Sequence, residues 1–139
     1  MRRKLSLISI IVLACVFLNS CNGVTTEKED FAKSIVGAWS QDRNASNFTT
    51  VDGKTITPMQ FHRSSFLFSD TGLVDYGDIS PASYVINGTS LTLQIPYGSM
   101  ESYTIISISK TDMLLQCERT ISLDGQTVTG IYSLSYKRQ

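Results

Sequence analysis

The sequence predicts an all-β domain, an antiparallel up-and-down barrel of about eight strands, with a two-sheet β-sandwich as the alternative packing. Three observations carry this. Leu91, Leu93 and Ile95 alternate with Thr92 and Gln94, and Val128, Tyr132, Leu134 and Tyr136 alternate with Thr129, Ser133, Ser135 and Lys137. That is the period of two expected for half-buried strands. Turn formers recur at short intervals: Asp52-Gly53, Asp70-Thr71-Gly72, Asn87-Gly88, Thr111-Asp112 and Asp124-Gly125. Beyond Ile35 no stretch has a helical period, so the strands must follow one another as a meander, which hides its edges best by closing on itself.

The N-terminal segment stands apart from the fold. Met1-Arg2-Arg3-Lys4 is a basic start, and the apolar run from Leu5 to Leu18 is too short for an ordinary transmembrane helix. Residues 1–20 therefore read as a secretory signal. Leu18-Asn19-Ser20-Cys21 resembles the lipobox of bacterial lipoproteins, which implies lipidation of Cys21 and cleavage just before it. Cys15 competes but leaves an apolar core of only about ten residues; a plain secreted protein would need a better small-residue cleavage site than Asn19-Ser20. Each buried acyl methylene contributes about 0.8 kcal/mol, so more than one chain gives a stable membrane anchor. Residues 21–30 are polar and read as a tether, and 31–139 as the domain. The resemblance places the protein in the cell envelope, at the outer membrane; Glu27, Glu29 and Asp30 loosely suit display on its outer face.

Within the domain, Glu29 to Ser34 is expected to form a helical turn that faces Phe31 and Ile35 inward. Strands are expected over Val36 to Gln41, Asn47 to Val51, Arg63 to Ser69, Leu73 to Tyr76, Ala82 to Ile86, Leu91 to Ile95, Glu101 to Ser109, Met113 to Thr120 and Val128 to Lys137. Parity gives one inward set: Trp39, Phe66, Phe68, Tyr84, Ile86, Leu91, Leu93, Ile95, Tyr103, Ile105, Met113, Leu115, Cys117, Val128, Tyr132 and Leu134. Two adjacent apolar residues, Ile105-Ile106, break the parity and predict a bulge.

Ile35-Val36-Gly37-Ala38-Trp39 resembles the Gly-x-Trp opening of lipocalin-like domains, whose tryptophan plugs the closed end of the barrel. A Phe-x-Phe strand turning at Asp-x-Gly follows, then a Tyr-x-Ile-Asn-Gly hairpin into Leu-x-Leu-x-Ile, an Asp-Met-Leu-Leu strand and a closing Tyr-x-Leu-x-Tyr-Lys-Arg strand. From Ile35 to Arg138 the chain is similar to small lipocalin-like lipoproteins of Gram-negative bacteria. The resemblance implies a basic residue across the tryptophan, Arg138 or Arg119. The chain is shorter than the large lipocalins and lacks their disulfide and long lid loop, and a barrel of this size is filled by its own side chains as readily as by a ligand.

Charge and chemistry narrow the function. The chain has twelve basic and twelve acidic residues; without Arg2, Arg3 and Lys4 nine basic ones remain, and no basic face for nucleic acid is evident. With Cys15 removed and Cys21 lipidated, Cys117 has no disulfide partner and reads as a buried strand residue. His62, the sole histidine, reads as solvent-facing or capping, and no metal set or cofactor motif accompanies it. Asp75 to Asp78 reads as a turn with too few oxygen ligands for calcium. Asn44, Asn47 and Asn87 begin glycosylation-type triplets but read as loop residues. Asp70-Thr71-Gly72 is the triplet of aspartic proteases. However, Ser69 precedes it and Leu73 follows, and a second carboxylate would have to come from a dimer. A hairpin turn needs nothing added. The expectation is a non-catalytic, membrane-anchored protein that binds a small apolar ligand through Trp39, Tyr84, Tyr103 and Tyr132. The alternative is a module with a filled barrel that binds an envelope protein or inhibits an enzyme, and an aspartic-protease-like enzyme comes third.

Overall fold

A computed structural model describes residues 30–78 and 80–139; the signal, Cys15, Cys21 and most of the tether lie outside them. One helical turn, α1 (Phe31–Ser34), precedes ten strands: β1 (Gly37–Gln41), β2 (Asn47–Thr50), β3 (Thr55–Ile56), β4 (Ser65–Phe68), β5 (Leu73–Asp75), β6 (Ala82–Asn87), β7 (Ser90–Gln94), β8 (Met100–Ile108), β9 (Asp112–Leu123) and β10 (Gln126–Arg138). Successive neighbours from β4 to β10 pair antiparallel, β1 pairs with β4, and β1 also pairs with β10 through Trp39↔Arg138 and Gln41↔Tyr136. That last ladder closes an eight-stranded barrel and excludes the sandwich. The β2–β3 hairpin lies outside the closed ring, along the middle of β10.

β10 can serve both β1 and β2 because the chain bulges between them. The Asp42 carboxylate accepts from the backbone of Asn44 and Ala45, turning the chain. The fully buried Ser46 hydroxyl then accepts the Ser135 N–H at 3.0 Å and donates to Asp42 O at 2.7 Å. A side chain thus replaces the missing ladder partner, as a buried N–H requires. Further along β10, the Phe48 ring fills the space a side chain on Gly130 would need, so only glycine fits beneath it.

The expected parity holds through the wall: Trp39, Phe66, Phe68, Leu91, Leu93, Tyr103, Ile105, Met113, Leu115, Cys117, Tyr132 and Leu134 are all buried. Tyr84, Ile86, Ile95 and Val128 share that parity but are half-buried, because each lies close to a strand end or beyond the closed ring. Phe48, Phe61, Val74, Ala82 and Tyr136 join the core without having been in the set. Phe31 and Ile35 face inward as the spacing required. The register of β8 on β9 shifts between Ile105 and Ser107, which leaves Ile106 exposed: the predicted bulge. Strand limits differ from expectation by more than one residue in three places, β10 starting two residues early at Gln126, and the two-residue β3 is not among the expected strands. β4 begins at Ser65 because Arg63 is engaged elsewhere, and β9 runs to Leu123 because β10 accompanies it that far.

Asp70 is exposed on the β4–β5 turn, where Gly72 takes a φ of 81°. The turn is secured by the residue before Asp70. The Ser69 hydroxyl accepts the Leu73 N–H at 3.2 Å and donates to Leu73 O at 3.0 Å. Asp70→Asn is therefore expected to change unfolding free energy by less than about 0.5 kcal/mol, the usual range for an unpaired surface position. Chemical denaturation measures this, and a loss well above that would show a role for the carboxylate.

Candidate functional site

The two ends of the barrel are built differently. At the closed end, Trp39 donates its indole N–H to Ile35 O at 2.8 Å, fixing α1 across the barrel floor. Arg138 lies over the indole, its guanidinium carbon 4.2 Å from the ring centre. It also donates to Ser34 O and Val36 O at 2.7 Å and to Lys110 O at 2.8 Å. Arg138 thus fills the cationic role, while Arg119 lies over Tyr103 at 5.8 Å near the other end. Tyr84 also belongs to the closed end, donating to Ser69 O at 2.5 Å.

The open end is crossed by the segment between β3 and β4. Its Phe61 is 3% exposed and sits between Tyr132, with ring centres 4.9 Å apart, and Tyr103, 6.3 Å away edge-on. Both groups of the Gln41 side-chain amide hold this segment: the NH2 donates to Met59 O at 3.0 Å and the oxygen accepts the Phe61 N–H at 3.1 Å. Two residues on, Arg63 forms a two-pronged pair with Glu101, Nη2 to Oε1 at 2.6 Å and Nε to Oε2 at 3.1 Å. Such forked pairs are among the stronger charge-assisted bonds. The Tyr103 hydroxyl donates to Glu101 Oε2 at 2.8 Å, and Arg63 also covers the Tyr76 ring at 4.3 Å. His62 is exposed, its ring tilted against Phe61 with centres 4.3 Å apart, and its Nε2 is 3.7 Å from Glu101 Oε1.

Electrostatics at this end favour a charged Glu101 and a protonated Cys117. Burial alone would push the Glu101 carboxyl up, but the Arg63 and Tyr103 hydrogen bonds and the nearby positive charges outweigh it and hold it below the ordinary value. Burial pushes the Cys117 thiol up to about 11, against a smaller opposing pull from Arg119. At neutral pH it is a thiol, and the thiolate is the nucleophile. Tyr103 and Tyr136 are raised chiefly by burial as well. Among the described residues no third ligand joins His62 and Glu101 to hold a metal.

The candidate ligand residues do not share one hollow. Trp39 and Tyr84 lie at the floor, and Tyr103 and Tyr132 lie at the mouth. Phenylalanines occupy the space between them: Phe68 is 5.0 Å from Tyr84, Phe66 is 5.2 Å from Phe68 and 6.4 Å from Tyr103, and Phe48 is 4.8 Å from Tyr132. A cleft of about 600 Å³ lies at the closed end, between α1 and the β6–β7 turn, lined by Phe31, Ala32, Ile86, Thr89 and Ile106. Phe61, Gln41, Arg63 and Glu101 carried no signal as a group in the sequence. The one local hint was an aromatic residue, Phe61, in a stretch otherwise reading as loop. Comparison with protein-family models, with curated proteins and with solved structures returned no match.

Proposed function

We propose that the chain is a lipid-anchored, lipocalin-like interaction module of the bacterial cell envelope, non-catalytic, which engages a protein partner from its open end. The observation that carries this reading is the lumen. Its aromatic rings pack on one another from Tyr84 to Phe48, and Phe61 seals the mouth. Rings in mutual contact along the barrel occupy the space that a guest in the lumen would need. The anchor reading rests on the lipobox-like Leu18-Asn19-Ser20-Cys21. Eight residues lie between Cys21 and Asp30, a reach of at most about 32 Å, and Asp30 lies at the closed end beside α1. A membrane held by Cys21 therefore faces the floor of the barrel, and the mouth points away from it.

Native mass spectrometry of the full chain purified from its host tests both parts. The expected result is an acylated mass with a co-purifying protein and no retained small molecule, with the acyl increment lost in Cys21→Ala. A stoichiometric small apolar molecule that survives purification would overturn the module in favour of a ligand carrier. Acylation that persists in Cys21→Ala would overturn the anchor.

A further inference from the structure

β9 outlasts the barrel wall on one side. β8 accompanies it from Ile108↔Met113 to Thr104↔Gln116, whereas β10 stays with it to Gln126↔Leu123. Past Gln116 the ladder with β8 is not continued on that edge of β9 among the described residues. The direction of its backbone groups follows from neighbouring bonds. Asp42 N–H donates to Ser135 O and Val51 N–H to Thr129 O, so odd-numbered residues of β10 point towards β1 and β2, and even-numbered ones towards β9. The register sets Gly130 against Arg119, Val128 against Ile121 and Gln126 against Leu123. Arg119, Ile121 and Leu123 therefore bond β10, while Thr120 and Ser122 aim their N–H and C=O groups at the open edge.

Such an edge is ordinarily blunted by shortness, proline or lysine. The other free edge, β3, is two residues long and is followed by Pro58. The outer part of β9 is neither short nor interrupted by proline or lysine, and its charges are Glu118 and the inward-facing Arg119. Its Ile121 and Leu123 are half-buried on the face that continues the barrel interior. Arg119, on the same face, meets no carboxylate within ion-pair distance among the described residues; its Nη1 donates to Glu118 O at 2.8 Å. Glu101, the nearby acid, is already paired with Arg63.

We propose that the open edge of β9 takes in an extended segment of a partner protein as an added antiparallel strand, with an acidic side chain beside Arg119 and aliphatic ones beside Ile121 and Leu123. Strand addition gains affinity from main-chain bonds and specificity from alternate side chains. This rests on the interaction-module reading. The chain's own copy fits less well: antiparallel pairing of two β9 edges places the two closed ends, and hence the two tethers, on opposite sides, where one membrane cannot hold both.

The probe is a synthetic peptide, Thr-Val-Thr-Ile-Thr-Glu-Thr, added to the full chain in detergent micelles, with amide exchange followed by NMR. Without peptide, Thr120 and Ser122 amides are expected to exchange fast and Arg119, Ile121 and Leu123 slowly. With peptide in millimolar excess, Thr120 and Ser122 should slow by about tenfold or more. The slowing should vanish when the peptide's Glu is replaced by Lys, and in Ser122→Pro, which removes an edge N–H but no β9–β10 bond. No slowing, slowing indifferent to both changes, or slow exchange at Thr120 and Ser122 from self-association alone overturns the proposal. Photo-crosslinking in the host separates it from the broader reading. A partner captured from other open-end positions but not from Ser122 sinks the edge and keeps the module; capture from none sinks both.

Discussion

Trp39→Ala is expected to lower the unfolding free energy by about 3–5 kcal/mol, the range for removing a large buried aromatic, and the melting midpoint by more than about 10 °C. Three losses coincide at this residue. The side chain is 1% exposed, so its removal opens a large void at the barrel floor. The indole N–H no longer satisfies Ile35 O, which is buried beneath α1. Arg138 loses the ring beneath its guanidinium while its bonds to Ser34 O and Val36 O continue to need that placement. Trp39→Phe restores part of the packing but not the hydrogen bond, and should recover roughly half of the loss. Trp39 is the sole tryptophan, so circular dichroism rather than intrinsic fluorescence must follow the transition. A cost below about 1 kcal/mol would mean that the floor is not held by this residue.

This end of the barrel was the most legible in the sequence, and the reason is local. Gly37 adopts a φ of 132°, and the Arg138 Nη1 lies 2.5 Å from the point a side-chain carbon would occupy. Glycine, a tryptophan two residues later and an arginine at the end of the last strand are thus parts of one contact, which is why the opening motif foretold it. Wall parity was legible for the same kind of reason: alternation reports burial wherever a strand has neighbours on both sides. It failed where that condition failed. Phe61 is buried from a segment with no period at all, and Phe48 points inward from a strand outside the closed ring. The Arg63–Glu101 pair spans 38 residues of chain; nothing short of the closed topology brings a loop arginine to the start of β8. The Asp-Thr-Gly turn lies where the sequence places it, and the serine one position earlier supplies the side chain that bonds its backbone.

At the mouth, Glu101→Gln is expected to cost about 2–3 kcal/mol near neutral pH. The substitution preserves shape but leaves the Arg63 guanidinium without its counter-charge. The two side chains are 14% and 16% exposed, so solvent compensates in part and the loss falls short of that for a fully enclosed pair. The pH dependence follows from the depressed carboxyl. A group whose folded-state pKa lies below its ordinary value, 4.5 here, contributes stability that is fully present above that value and is lost as pH falls through the folded-state pKa. The wild type should therefore lose this contribution below about pH 4.5, while the Glu101→Gln curve stays flatter over the same interval and the two converge in stronger acid. Arg63, Tyr103 and His62 face the carboxylate in the wild type and remain in the variant, so the difference between the curves isolates Glu101. Because Arg63 also ties down the segment carrying Phe61, the variant should alkylate Cys117 faster, a thiol now 6% exposed behind the sealed mouth. Denaturant titrations across the acid range, with peptide-mapped thiol labelling, measure both effects. Parallel stability curves for wild type and variant down to about pH 3 would show that the carboxylate is not what latches the mouth. A double change, Glu101→Leu with Arg63→Met, should regain part of the single-variant loss, since an apolar pair of similar volume needs no counter-charge.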